Sequence, residues 1–287
     1  MNIGIRLHDT APGTLAQRAR AALAAGSACT QLALQKTLGA AYAQPAACTP
    51  GLAATVRRAL GPLDVAVLGC YLNLGSADEA AFAAMAAQYE AHLRLSRLLG
   101  GCVVGTETGS PYAGAPEAEV HGEAALERLI RRLRVLAATA EKLGTLLAIE
   151  PVYTHILCDA QRTRRVLDAV ASPNVRVILD PVNLLHPGNL GRRQAVLDEA
   201  VALLGRDTTV LHVKDYVRDG DTLRAVAAGQ GEMDYGPLFA ALLPQKPEMH
   251  ILLENTTPQN AGDALARVRA LVMRATPQPD PFGLPEG

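Results

Sequence analysis

Residues Thr208–Tyr216 read TTVLHVKDY. Thr209, Val210, Leu211 and Val213 are β-branched or aliphatic and suit a buried parallel strand. The run nevertheless ends among His212, Lys214 and Asp215. Three further apolar runs end in the same way: TLLAIE closes on Glu150, VRVILD on Asp180 and MHILLE on Glu254. A carboxylate at the end of a buried strand is costly unless it has a partner. Any one of these residues alone reads as a helix cap or a satisfied core polar group. Four strands that each deliver one metal-competent side chain in phase point to a shared ion.

The remainder of the chain repeats the same unit. Strand-like runs at Asn2–Leu7, Ala28–Leu34, Leu63–Cys70 and Cys102–Gly105 precede those four. Helical patterns separate them, at Thr14–Ala25, Leu52–Leu60, Ser76–Leu99, Val120–Leu143, Ala160–Val170, Gln194–Leu204, Pro237–Leu243 and Ala261–Ala275. Ser76 and Glu79 have capping-box spacing, and residues 218–235, with the run GQGEMDYG, read as a loop. Eight strand–helix units over about 250 residues predict a single-domain (β/α)8 barrel across residues 1–275. A doubly wound open sheet is the structural alternative, but it normally uses fewer strands. The Pro- and Gly-rich end, 276–287, reads as a loose extension or a partner-binding arm.

The totals narrow the function. The chain has 287 residues, 49% of them hydrophobic, and a formal net charge of -1. Without a basic excess, neither nucleic acid nor an acidic membrane surface is an expected partner. Aromatic residues at 3% leave few stacking platforms for single strands. Five cysteines with no C-x-x-C pair give neither a disulfide framework nor a zinc ribbon. MNIGIRLHDT lacks a long apolar segment, so a cytoplasmic protein is expected. Arg128, Arg131, Arg132 and Arg134 share a helix face that reads as solvated or as a homo-oligomer contact.

In a barrel the C-terminal strand ends converge on one mouth. Neighbouring strands lie about 5 Å apart, so the consecutive ends carrying Glu150, Asp180, His212 and Glu254 can surround one ion. Three carboxylates and an imidazole suit Mn²⁺ or Mg²⁺, with Co²⁺ or Fe²⁺ as alternatives, better than a thiolate-type zinc site does.

Ile149-Glu150, Leu179-Asp180-Pro-Val-Asn183, Leu211-His212-Val-Lys214-Asp215 and Leu253-Glu254 together resemble the xylose isomerase-like barrel superfamily. Gly229-Gln-Gly231 before Asp234-Tyr235 resembles its epimerase branch in particular. The resemblance implies an isomerase or epimerase acting on a sugar, a sugar phosphate or a related polyhydroxy carbonyl compound through a metal-stabilised enediolate. It makes Glu150 and Glu254 both ligands and acid–base groups, and Asp180 and His212 ligands. Asn183, Lys214 and Arg218 are the expected substrate contacts. Two departures stand out: many epimerases have His at the position of Asn183, and a substrate-binding Glu where this chain has Ile156. The alternatives within the fold are a keto-inositol-type dehydratase, which also begins by enolisation, and an endonuclease IV-type phosphodiesterase. The second needs more histidines than this chain supplies.

Overall fold

Period-two alternation builds the barrel. The computed structural model describes residues 2–276. Eight parallel strands close on themselves: β1 (Ile3–Arg6), β2 (Cys29–Ala33), β3 (Asp64–Gly69), β4 (Val103–Glu107), β5 (Leu147–Glu150), β6 (Val175–Leu179), β7 (Thr208–Val213) and β10 (His250–Leu253), with β10 pairing to β1. Between β7 and β10 lies an antiparallel hairpin, β8 (Asp215–Asp219) and β9 (Thr222–Val226). The helices are α1 (Leu15–Ala24), α2 (Leu34–Leu38), α3 (Pro50–Leu60), α4 (Phe82–Leu98), α5 (Glu117–Val120), α6 (Glu123–Leu143), α7 (Ala160–Val170), α8 (Arg193–Leu204), α9 (Gly236–Leu242) and α10 (Ala261–Ala275).

The side chains sort into two apolar layers. Cys29, Val67, Val103, Ala148, Ile178, Val210 and Leu252 fill the barrel interior. Their strand neighbours, among them Leu147, Ile149, Leu179, Leu211 and Leu253, pack outward against the helices. On α6 the inner face is Leu126, Leu129, Leu133, Leu136, Ala137 and Ala140, all buried at helical spacing. Two residues beyond the interior layer the same alternation yields Gln31, Glu150, Asp180, His212 and Glu254. The barrel therefore ends in a ring of polar side chains directly above an apolar plug.

The structure corrects several expectations. The helix placed at Ser76–Leu99 begins only at Phe82, and no Ser76–Glu79 capping box forms. Asp78 Oδ1 instead accepts the N–H groups of Ala80 and Ala81, while Glu79 Oε2 lies 3.1 Å from Arg132 Nη2. Arg132, expected on a solvated face, is buried and donates to the carbonyls of Leu74, Ser76 and Asp78. It ties the exit loop of β3 to α6. The segment read as one helix from Val120 is interrupted at His121–Gly122. The loop expected at 218–235 begins inside the hairpin, whose two-residue turn Gly220–Asp221 has Gly220 at φ 57°. Cys29, Cys70 and Cys102 are buried and unpaired, as expected of small apolar residues. Of the expected C-terminal extension, 277–287 lies outside the described residues.

Asp215 holds the GQGEM segment against the barrel. Its Oδ1 accepts from the N–H groups of Tyr216 (2.9 Å) and Met233 (2.8 Å), and its Oδ2 from that of Gly229 (3.1 Å). Hydrogen bonds to a charged group contribute about 1.5–3 kcal/mol each, and the bonds in one such network are not additive. Asp215→Ala is therefore expected to lower unfolding stability by about 3 kcal/mol in urea titration. Asp215→Asn, which keeps an acceptor, should recover part of that loss. Equal stability of Asp215→Ala and the parent chain would show that the loop is held elsewhere.

Candidate metal centre and active site

Each strand contributes one group to the mouth. β5 ends on Glu150, β6 leads into Asp180, β7 carries His212 and β10 leads into Glu254. Glu150, Asp180 and His212 are buried and each offers a ligand atom, these atoms lying within 4.8 Å of one another. Glu254 joins them through His212: Nδ1 is 3.2 Å from Glu150 Oε1 and 3.3 Å from Glu254 Oε1. Asp180 Oδ1 is taken by the N–H groups of Val182 (2.9 Å) and Asn183 (3.3 Å), which leaves Oδ2 facing the cluster. Of the four residues expected as ligands, Glu150, Asp180 and His212 thus form one group, and Glu254 borders it through His212 and Lys214.

The supporting groups differ from expectation. Asn183 Nδ2 donates to Glu150 Oε1 at 2.8 Å and so orients a carboxylate of the cluster. Lys214 is buried between two carboxylates, with Nζ 2.9 Å from Asp180 Oδ2 and 3.1 Å from Glu254 Oε2. Arg218 is not brought to the cluster: it lies on β8, 60% exposed, with Nε 3.2 Å from Glu232 Oε2. Ile156 is fully buried in the core, and His155 beside it faces Glu107, Nδ1 to Oε2 3.6 Å.

The other half of the mouth was less legible. Arg6, at the end of β1, places Nη1 3.0 Å from Glu254 Oε1 and Nε 2.9 Å from Asp9 Oδ2. Glu107 stands beside Glu150 in the β4–β5 register. Gln31 Nε2 donates to the Tyr71 hydroxyl at 2.9 Å. Arg6 and Gln31 do not stand out in the sequence, because neither follows a long apolar run. Counting two residues on from Gly4 and Cys29, the preceding inward positions, would have found both.

The charges explain one another. Five carboxylates (Asp9, Glu107, Glu150, Asp180 and Glu254) stand against two permanent cations, Arg6 and Lys214, so the mouth carries an excess of negative charge before His212 is counted. A cation suits that excess. Burial acts against the Lys214 ammonium, yet Asp180 and Glu254 hold it firmly protonated. Burial likewise acts to raise Glu254, but Lys214, His212 and Arg6 hold it well below the usual carboxylate range. Glu150 is shifted the other way, raised by burial against the opposing pull of His212. Burial disfavours the charged His212 ring, but Glu150 and Glu254 outweigh it and push the imidazole up to about 9.

A ligand imidazole must be free of its proton, so a cation and a proton compete for His212. Divalent-ion affinity is therefore expected to fall by up to tenfold per pH unit as pH drops below about 9. Titration calorimetry in buffers of different ionisation enthalpy should show a proton released on binding at pH 7.5. Pairing of the raised imidazole also contributes stability to the metal-free fold. That contribution is fully present below the ordinary value of 6.5 and is lost as pH rises through about 9. Affinity independent of pH would mean that His212 is already neutral.

Residues 19–272 match the family described as xylose isomerase-like TIM barrel. The chain belongs to that family. Solved structures share its fold at low identity. A 3-keto-D-glucoside 4-epimerase, YcjR, from E. coli is 17% identical, with a TM-score of 0.71 over 94% of this chain and 99% of that one. A xylose isomerase-like barrel protein from Mycobacterium smegmatis, in complex with magnesium, is 15% identical, with a TM-score of 0.74 over 96% and 97%. A D-psicose 3-epimerase determined in the presence of D-fructose is 18% identical, with a TM-score of 0.69 over 95% and 99%. No curated protein matches the sequence significantly. Among the described residues no helix is long and apolar enough to cross a membrane.

Proposed function

We propose that this member of the xylose isomerase-like family is a divalent-metal-dependent isomerase or epimerase of a small polyhydroxy carbonyl compound. One observation carries the reading: two buried glutamates from β5 and the end of β10 converge on one imidazole, at 3.2 and 3.3 Å. Glu150, Asp180, His212 and Glu254 would hold the ion. Their oxygen-rich composition favours Mn²⁺ or Mg²⁺, and the magnesium bound by the Mycobacterium smegmatis relative supports an ion of this kind. Such an ion supplies Lewis acidity that polarises a carbonyl and makes the neighbouring carbon acidic.

The chain's own residues do the rest. Glu150 is the more basic of the two carboxylates, so it takes the proton from the carbon beside the carbonyl. Asn183 fixes its orientation through the 2.8 Å bond to Oε1. Glu254 reaches the mouth from the other side of β6 and β7 and returns a proton to the opposite face. Lys214 and Arg6 hold Glu254 ionised at rest, so the proton that it returns is first taken from solvent, and Glu150 releases the proton that it took to solvent at the end of the cycle. Lys214 has three donors, two of them directed at Asp180 and Glu254, which leaves one for a substrate oxygen. Arg218 could serve an anionic group only by leaving Glu232. The epimerases of the same fold that act on keto-glucosides and psicose support a carbohydrate substrate.

The test is incubation of the Mn²⁺-loaded protein with ketohexoses, keto-inositols and their phosphates in D₂O, followed by product NMR. Deuterium at the carbon next to the carbonyl of a recovered or isomerised substrate is the expected result. Loss of water from the product would instead identify a dehydratase. No exchange with any of these compounds would remove the reading.

A further inference from the structure

Gln31, on β2, and Tyr71, just beyond β3, form a built polar pair on that side of the mouth. Gln31 is 2% exposed, and its Nε2 donates to the Tyr71 hydroxyl oxygen at 2.9 Å. Its Oε1 is buried without a hydrogen-bond partner, an arrangement that native structures keep only for a reason. Since Tyr71 Oη accepts from the amide, its own proton is free to be donated elsewhere. Burial, then Glu150, Glu254 and Glu107, push the phenol well above its ordinary range, so it stays a donor beside the carboxylates.

Gly69 makes room for the pair, and Gly105 lies beneath the Tyr71 hydroxyl. A Cβ at Gly69 would lie 2.7 Å from Tyr71 Cε2 and 3.5 Å from Gln31 Nε2, and one at Gly105 would lie 3.7 Å from Tyr71 Oη. The ring therefore lies over the ends of β3 and β4, in space that any side chain at Gly69 would fill.

We propose that Gln31 and Tyr71 are substrate-contacting specificity residues that read hydroxyl groups of the polyhydroxy substrate. The phenol donates to one hydroxyl oxygen and the amide carbonyl accepts from a hydroxyl proton. A hydroxyl is both donor and acceptor, and the pair presents one acceptor and one donor side by side. Two adjacent hydroxyls, or one bridging both atoms, would satisfy them. The assignment rests on the proposed site but names contacts that the proton-transfer reading does not need. A site built to bond a hydroxyl strongly rejects the analogue that lacks it.

The experiment measures calorimetric dissociation constants of the Mg²⁺-loaded full chain for a panel of ketohexoses and keto-inositols. Singly deoxygenated analogues of whichever compound binds follow. Tyr71→Phe and Gln31→Met are each expected to weaken the parent compound about tenfold, with metal content unchanged. One deoxy analogue should bind the unmodified chain as weakly as the parent compound binds the variants, and should lose nothing further in them. Should Tyr71→Phe fail to fold, Gln31→Met carries the test. Unchanged dissociation constants in both variants would show that the pair binds only water, and would overturn the assignment while solvent exchange at the carbonyl neighbour could still be observed. No binding by any panel member to the unmodified chain would overturn it too. Variants weakened as expected, with no solvent exchange, would keep the pair and remove the proton-transfer chemistry.

Discussion

Glu150→Gln is expected to lower turnover by about 10²–10⁴-fold, the usual worth of one positioned proton transfer. The substitution keeps size and most hydrogen bonding but removes the base. Asn183 Nδ2 and His212 Nδ1, now 2.8 and 3.2 Å from Oε1, can still contact the amide oxygen. Glu254→Gln is expected to fall by a similar factor for a different reason. Glu254 is the weaker base because Arg6 and Lys214 bond its two oxygens, at 3.0 and 3.1 Å. Its loss should therefore spare deuterium wash-in at the carbon next to the carbonyl more than it spares net inversion. The decisive comparison is solvent exchange against product formation in both variants, each checked for unchanged stability. Near-normal inversion by Glu254→Gln would leave a single base and favour an isomerase or a dehydratase. Turnover by the unmodified chain without solvent deuterium would point to a hydride shift and remove both glutamates from proton transfer.

How far the sequence could be read follows from what each residue leaves in it. Glu150, Asp180, His212 and Glu254 end long apolar runs, and an acid or imidazole there contradicts its surroundings, so all four were legible with the barrel. Arg6 and Gln31 end shorter or more mixed strands, IGIR and CTQLA, where a polar residue is no contradiction. Arg132 looked like a surface arginine because its partners are the main-chain carbonyls of Leu74, Ser76 and Asp78, more than fifty residues away. Main-chain acceptors leave no sequence signal. The hairpin was partly visible in Asp219-Gly220-Asp221, a turn signal, but its strands lack alternating apolar residues and Arg224 and Ala225 are exposed. Arg218 was expected as a substrate contact because it follows His212 closely in the chain, and nearness along the chain does not say that a hairpin carries the side chain outward.

His212→Ala and Asp180→Ala are each expected to abolish binding of the about one divalent ion per chain that a site of this composition would hold. Removing even an outer-shell partner typically costs about 10–100-fold in affinity, so losing a ligand should exceed that. The two side chains fail for separate reasons. His212 is the group that Glu150 and Glu254 both approach, and without it the two carboxylates face each other with no cation between them. Asp180 has committed Oδ1 to the main chain of Val182 and Asn183, so only Oδ2, which also pairs with Lys214, is left to approach an ion. Asp180→Asn is the finer probe, because its carbonyl oxygen can keep the main-chain bonds while its amide turns toward Lys214, an ammonium that cannot accept. It should fold, bind no ion and lose its salt bridge to Lys214. Elemental analysis after dialysis, with calorimetric titration of Mn²⁺ into the stripped protein, reads all three variants. An ion retained at parental affinity in both alanine variants would place the metal elsewhere and leave the carboxylate ring balanced by Arg6, Lys214 and a protonated His212 alone.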